Sequence, residues 1–323
     1  MSSMEITKNK FITLNKSFFD KFGAFAALLI MVIIFSIISP PFHTINNLLT
    51  VALQTSIIAF MGIGVTFVII TAGIDLGIGS VLAFASVVTG LAMNAGYSSW
   101  LAIMFGLITG IVCGLFNGFV ITRLKLAPFI ATLGMMMLAR GAGLYITNAA
   151  PITVTDPLFD GLGSLIPGTM IPMPVVIMIL VALIFSFVLR KTKLGRYAYA
   201  IGSNEEAARL SGLNINLTKY MVYAISGLLS AVTGIVLASR LSTAQATAGQ
   251  SYELDAIAAA VIGGTSLMGG VGTIMGTMIG AFIIGVLRNG LNMMGVSSFI
   301  QQMTIGGVII GAVYIDQLRN RKA

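Results

Sequence analysis

Charge is scarce in this sequence: Asp, Glu, Lys and Arg make up 9% of its 323 residues, where soluble domains carry about a quarter. With hydrophobic residues at 57% and a mean hydropathy of +1.00, the chain belongs in a bilayer. Cysteine and histidine are nearly missing. One of each, Cys113 and His43, excludes an internal disulfide and a His/Cys metal cluster. Nor is there a GxxxxGK[ST] phosphate loop, so any ATP used with this chain is hydrolysed by another polypeptide. The 19 methionines are scattered and read as apolar filler rather than as metal ligands.

What the sequence has instead is long apolar runs. A spanning helix needs about 20 mostly apolar residues, and ten such runs can be laid down, at roughly 22–39, 48–72, 76–94, 99–122, 127–147, 173–189, 217–239, 253–268, 272–291 and 297–315. Glycine or small polar residues interrupt the second and eighth. The expected fold class is all-α, a polytopic membrane protein of about ten helices.

The net charge of +8 has no need of a nucleic-acid partner. Its clusters at Lys8, Lys10, Lys16 and Lys21, at Arg123 and Lys125, at Arg190, Lys191, Lys193 and Arg196, and at Arg319, Arg321 and Lys322 flank apolar runs, as the positive-inside rule requires. From a cytoplasmic N-terminus, ten spans put every cluster inside and return the C-terminus inside. The loop from Asn148 to Pro172, whose charges are Asp156 and Asp160, then faces outward. The first run lacks a small-x-small cleavage pattern and reads as a retained helix. The expected organisation is a cytoplasmic segment at 1–21, a first membrane half at 22–189, a cytoplasmic loop at 190–216, a second half at 217–315 and a cytoplasmic tail at 316–323.

The two halves invite reading as five-helix repeats, inverted with respect to each other. Gly106, Gly110, Gly114 and Gly118 recur every fourth residue in the fourth run, as Gly272, Gly276 and Gly280 do in the ninth. Such stripes let helices approach closely in lipid. Ordinary helix packing without a repeat explains them equally.

Ionisable residues at membrane depth tend to face the bundle interior. Asp75, in the glycine-rich TAGIDLGIGS, and Arg140 are therefore candidates for a translocation path, with Asn117, Thr132 and Asn289 as neutral lining groups. The competing reading makes Asp75 a helix cap and lets Arg140 snorkel outward. The segment LSTAQATAGQSYELD at 241–255 is expected to face outward. Gln245, Glu253 and Asp255 would either dock an external protein or belong to a solvated loop that starts the next helix.

GSNEEAARLSGLN at 202–214 is a polar island. Ser203 and Glu206 have the spacing of a capping box, and Gly212 offers a left-handed stop. The expected helix has about eight residues, with acids near its start and Arg209 near its end, as the helix dipole prefers. A capped connector would need no partner.

EAARLSG at 206–212 resembles the EAAxxxG core of the cytoplasmic loop in permease subunits of binding-protein-dependent ABC importers. TAGIDLGIGS at 71–80, APFIATLGMMMLARG at 127–141, LGRYAYAIGSNEEAARLSG at 194–212 and YELDAIAAAVIGGTSLMGG at 252–270 point to the branch that moves monosaccharides, and within it to the ribose transporters. The resemblance runs from about 22 to 315. It departs in lacking a Leu-Pro after the core, in Val222 where isoleucine is expected, and in Ala246 where proline is expected. It implies an inner-membrane homodimer and an external sugar-binding protein. It also implies a cytoplasmic ATPase, using ATP and Mg, that docks on Gly202, Ser203, Asn204, Glu205, Glu206, Ala207, Ala208, Arg209 and Gly212. The alternative is a secondary transporter driven by an ion gradient, with Asp75 as its ion site.

Overall fold

The structure, a computed structural model, describes residues 23–321. The expected segment at 1–21, with Lys8, Lys10, Lys16 and Lys21, lies outside the described residues, as does Lys322. Thirteen α-helices are described besides a 3-10 turn at Pro40–His43: α1 (Gly23–Ile38), α2 (Ile45–Ile70), α3 (Ile78–Asn94), α4 (Ser99–Arg123), α5 (Pro128–Thr147), α6 (Pro157–Gly161), α7 (Met173–Lys191), α8 (Lys193–Ser203), α9 (Glu205–Leu210), α10 (Ile215–Leu241), α11 (Tyr252–Ile262), α12 (Ile274–Met293) and α13 (Ser298–Arg321). Two short strands, β1 (Ile152–Thr153) and β2 (Thr243–Ala244), pair antiparallel, with Ile152 opposite Ala244.

The fold is all-helical apart from that pair. Six helices, α2, α4, α5, α7, α10 and α12, are long and apolar enough to cross a membrane, and α1, α3 and the apolar part of α13 are shorter. Two expectations are corrected. The second run is unbroken, because α2 continues through Gly62 and Gly64 for 26 residues. Those glycines admit neighbours instead: a Cβ on Gly64 would lie 3.1 Å from the Ser226 Cα, and one on Gly62 3.0 Å from Thr277 Cγ2. The eighth run, expected at 253–268, is helical for only the 11 residues of α11. At 1.5 Å per residue that is about 16 Å, half of a hydrocarbon core of about 30 Å.

The centre of the bundle is α2 and α10. The apolar window of α2 is 89% buried and that of α7 only 17%, so α2 is wrapped by protein while α7 turns Leu183, Ile184 and Phe187 outward. Around the centre, α10 packs on α4, α3 and α2, and α2 packs on α12, α11 and α7.

The glycine stripes are the surfaces through which this happens. A Cβ on Gly110 would run into the Gly227 carbonyl oxygen and one on Gly114 into that of Tyr223, while Gly118 would come within 3.0 Å of the Tyr220 Cα. In the second half, Gly276 and Gly280 lie against the carbonyl oxygens of Gly263 and Ala259. Removing side chains brings whole backbones into dispersion contact, which is how helices associate in lipid. Gly272 lies just before α12 rather than in it and packs on Thr265 and Ile70.

Candidate functional site: two broken segments, a polar cavity and the α8–α9 surface

Between α2 and α3 the helix breaks. Ala72 turns left-handed (φ 58°), and the chain runs without helix until Ile78. Its backbone groups need partners, and side chains supply them. Asp75, 3% exposed, accepts from Gly77 N at 2.9 Å through Oδ1 and from Ser226 Oγ of α10 at 2.8 Å through Oδ2. Thr132 of α5 accepts from Leu76 N and donates to the Ile74 carbonyl, both at 3.2 Å. Asp75 therefore caps the approach to α3 and also ties the break to α10. Asn117 of α4 is buried with its Oδ1 unpartnered among the described residues, as is the Tyr223 hydroxyl. Gly73 is required there, since a Cβ would lie 2.6 Å from Tyr223 Oη. Asp75→Ala orphans Gly77 N and Ser226 Oγ, each at about 1–3 kcal/mol. The variant is expected to melt at lower temperature in detergent than Asp75→Asn, which keeps an acceptor for Gly77; equal melting curves would show that these bonds do not hold the break.

A second break follows α10. Ser242 is left-handed (φ 50°), and the chain folds back onto the bundle. The segment 242–251 runs down α3: Ala244 packs on Gly90, and Gly249 lies against Gly79 and Leu82. Arg140 holds it, its Nη1 donating to the carbonyls of Ala246 at 2.5 Å and Ala248 at 2.7 Å. This guanidinium does not snorkel; it supplies donors to carbonyls of the turns at 246–251. Of the two readings of 241–255, the freely solvated loop is thereby corrected, since Ala244, Ala246 and Gly249 are buried. Of the three candidate docking residues, Gln245 alone is well exposed. The Glu253 carboxylate sits against Gly79, and Asp255 is 3% exposed and accepts from Arg288 Nη2 at 2.6 Å. Ser251 holds the cap position of α11 without a side-chain cap bond.

A cavity of about 330 Å³ opens among α2, α10, α11, α12 and α13, with Gln54, Arg240, Tyr252, Asp255, Arg288 and Asn292 in its wall. A second, of about 280 Å³, lies between α11 and α13 and shares Tyr252, Asp255, Arg288 and Gln301 with the first. None of the five expected lining residues borders either. Asp75, Thr132 and Arg140 serve the breaks, Asn117 lies in the α4–α10 interface, and Asn289 accepts from Asn47 Nδ2 at 3.0 Å and ties α12 to the start of α2. Of the cavity residues Asp255 was named from the sequence, as a docking residue, and Gln54, Arg240, Tyr252, Arg288 and Asn292 were missed. A cue was present: Asp255 and Arg288 are opposite charges in consecutive apolar runs, and pairing offsets an insertion penalty of about 2.5–3.5 kcal/mol for each.

At the other end of α10, away from Arg240, lie α8 and α9. The predicted eight-residue helix is two helices, α8 and the six-residue α9. The cap is Asn204, whose Oδ1 accepts from Ala207 N at 2.9 Å. Ser203 ends α8, so the capping box of Ser203 and Glu206 does not form. Glu205 bridges Arg209 at 3.3 Å and Lys219 of α10 at 2.8 Å, and Glu206 meets Arg209 at 3.5 Å. Gly212 is left-handed (φ 80°), as expected. Leu210 is 82% exposed at the tip.

This surface is fastened to the breaks. Gly202 packs against the Ile70 carbonyl oxygen at the end of α2, and Gly270 N donates to that same oxygen at 2.9 Å. The Tyr199 hydroxyl donates to the Gly272 carbonyl at 2.6 Å. Burial raises the Tyr199 pKa above its usual 10.0, with Arg190 opposing, so the donor proton stays in place.

Long apolar helices around a buried central pair, with chain breaks inside the bundle, define a multi-pass membrane permease. Residues 47–313 match the family described as "Branched-chain amino acid transport system / permease component", and the chain belongs to that family. It is 43% identical over 320 residues to the ribose import permease protein RbsC of Escherichia coli K12, covering 98% of this chain and 99% of that one. Identity is 47% over 309 residues to RbsC of Bacillus subtilis, covering 93% and 94%. To the D-allose transport system permease protein AlsC of Escherichia coli K12 it is 40% over 304 residues, covering 93% of each.

Proposed function

We propose that this chain is the transmembrane subunit of an ATP-driven importer that carries a monosaccharide, ribose foremost, across the bacterial inner membrane. The observation that carries the reading is full-length similarity to ribose import permeases, and the α8–α9 surface supports it. A cytoplasmic ABC ATPase using ATP and Mg docks on Gly202 to Gly212. A sugar-binding protein delivers solute on the face of Gln245 and the 148–172 loop, and a second copy of the chain completes the complex. The chain crosses the bilayer ten times with both termini cytoplasmic, the eighth crossing made of the turn-rich segment 242–251 and the half-helix α11. An inverted repeat is supported by the way α10 packs on α4 and α3 while α2 packs on α12 and α11.

In this mechanism, ATP-driven movement of the docked surface reaches Ile70 through Gly202 and Gly270 and so the break that holds Asp75. The neutral donors and acceptors of Gln54, Asn292 and Gln301 suit hydroxyl groups of a passing sugar. Purification of the tagged chain in mild detergent from its host is expected to bring down an ATPase subunit with ATP hydrolysis. Gly212→Val forces a β-branched residue to positive φ, a strain of about 1–3 kcal/mol, and is expected to release that subunit. A chain that purifies alone, with uptake that survives ATP depletion and collapses with a protonophore, would establish ion-coupled transport instead.

A further inference from the structure

We propose that the outer cavity is an electropositive filter that keeps monovalent cations out of the path while a neutral solute passes, with Arg240 as its decisive charge. The inference rests on the import reading above and concerns what the same route must exclude. A path that admits a polar solute at every turnover also admits potassium, sodium and protons unless something rejects them, and the membrane potential drives cations inward. Fixed positive charge in a narrow polar passage is a known physical means of rejection.

The cavity wall has that charge. Two guanidinium groups, Arg240 and Arg288, face a single carboxylate, Asp255. The carboxylate is taken, since Arg288 Nη2 donates to it at 2.6 Å, and Arg288 Nε is buried with no partner among the described residues. The adjoining cavity adds no acid: its other polar groups are the neutral Gln250, Ser251, Gln301 and Gln302. Glu253, the nearest other acid in sequence, turns its carboxylate to Gly79 on α3 instead. One positive charge is therefore left uncompensated, and it belongs to Arg240, an exposed residue whose side chain makes no hydrogen bond or ion pair among the described residues. Its place is the last turn of α10, level with Asn292 in the last turn of α12 and Gln301 in the first turn of α13. With the termini cytoplasmic these are outer ends. A cation entering from outside meets Arg240 first.

A neutral lining would bind a sugar equally well, so sugar binding does not account for the surplus charge. Pairing does account for Arg288. Because Arg240 has no partner, replacing it leaves no buried group orphaned, and the fold is expected to survive.

The test uses the whole complex, the chain with its co-purified ATPase and binding protein, in sealed vesicles. Sugar uptake and tracer rubidium uptake are measured together during ATP-driven turnover. Wild type is expected to take up sugar with little rubidium. Arg240→Gln should raise rubidium entry per sugar by on the order of tenfold, the factor given by losing about 1.4 kcal/mol of repulsion. Arg240→Glu should raise it further, and Arg240→Lys should keep it low. Sugar uptake with unchanged rubidium entry in both Arg240→Gln and Arg240→Glu overturns the filter. Absence of sugar uptake in wild type overturns the import reading instead. High rubidium entry in wild type would also overturn the filter.

Discussion

Gly202→Val is expected to bring sugar uptake close to background while the chain still inserts in the membrane. Gly202 is in van der Waals contact with the Ile70 carbonyl oxygen, and a Cβ would also lie 2.5 Å from Gly270 N. Both neighbours are backbone, and the Gly270–Ile70 hydrogen bond runs through the same spot, so neither can give way cheaply. Overpacking of this kind costs about 1–3 kcal/mol, a factor of roughly 5 to 150 in the docked population of α8. The apolar helices are untouched, so insertion is unaffected. The measurement is ATP-driven uptake in vesicles, with Gly141→Ala as the control because nothing lies within 4 Å of a Cβ there. Uptake at the wild-type level in Gly202→Val would mean that α8 does not transmit force through Ile70.

The second large effect is on assembly. Gly114→Leu places a branched side chain where the backbone of α10 lies, with the Ala224 Cα only 2.9 Å from a Cβ and the Tyr223 carbonyl oxygen closer still. The pair α4–α10 is among the most extensive in the bundle, and no rotamer of leucine avoids an atom already in contact at Cβ. Folded protein in detergent extracts is expected to fall steeply, read as loss of the monodisperse peak in gel filtration. Gly134→Leu, on the open face of α5, should leave the peak in place. A normal peak for Gly114→Leu would refute the packing role of the stripe.

Much of the architecture was legible because apolar length and basic flanks act locally. Every apolar run carries a helix, the loop at 190–216 is the polar connector, and Gly212 ends its helix left-handed. The close-approach role of Gly106 to Gly118 was also legible, since a four-residue spacing keeps one face bare whatever the partner. The break at TAGIDLGIGS was signalled by glycine density.

The cap of α9 was misassigned for a local reason. Ser203 and Asn204 are adjacent cap formers, and the extra turns of α8, which end on Ser203 because Gly202 must reach Ile70, decide between them. The site itself was mostly hidden. Arg140 and Asp255 were recognised as charges worth explaining, but their partners, the Ala246 and Ala248 carbonyls and Arg288, are distant in sequence. Without them a clamp resembles a snorkelling arginine, and one half of an ion pair resembles a surface acid.

By itself the sequence determined that this protein lives in a bilayer, how its apolar helices are spaced and where the polar α8–α9 connector falls along the chain, because hydrophobicity, charge bias and capping depend on near neighbours along the chain. Only the tertiary structure decided that 242–251 turns inward and that Asp75 and Arg140 repair broken backbone. It alone placed Gln54, Arg240, Tyr252, Arg288 and Asn292 around one cavity. A buried polar group is defined by its partners, and in a bundle those partners come from other helices.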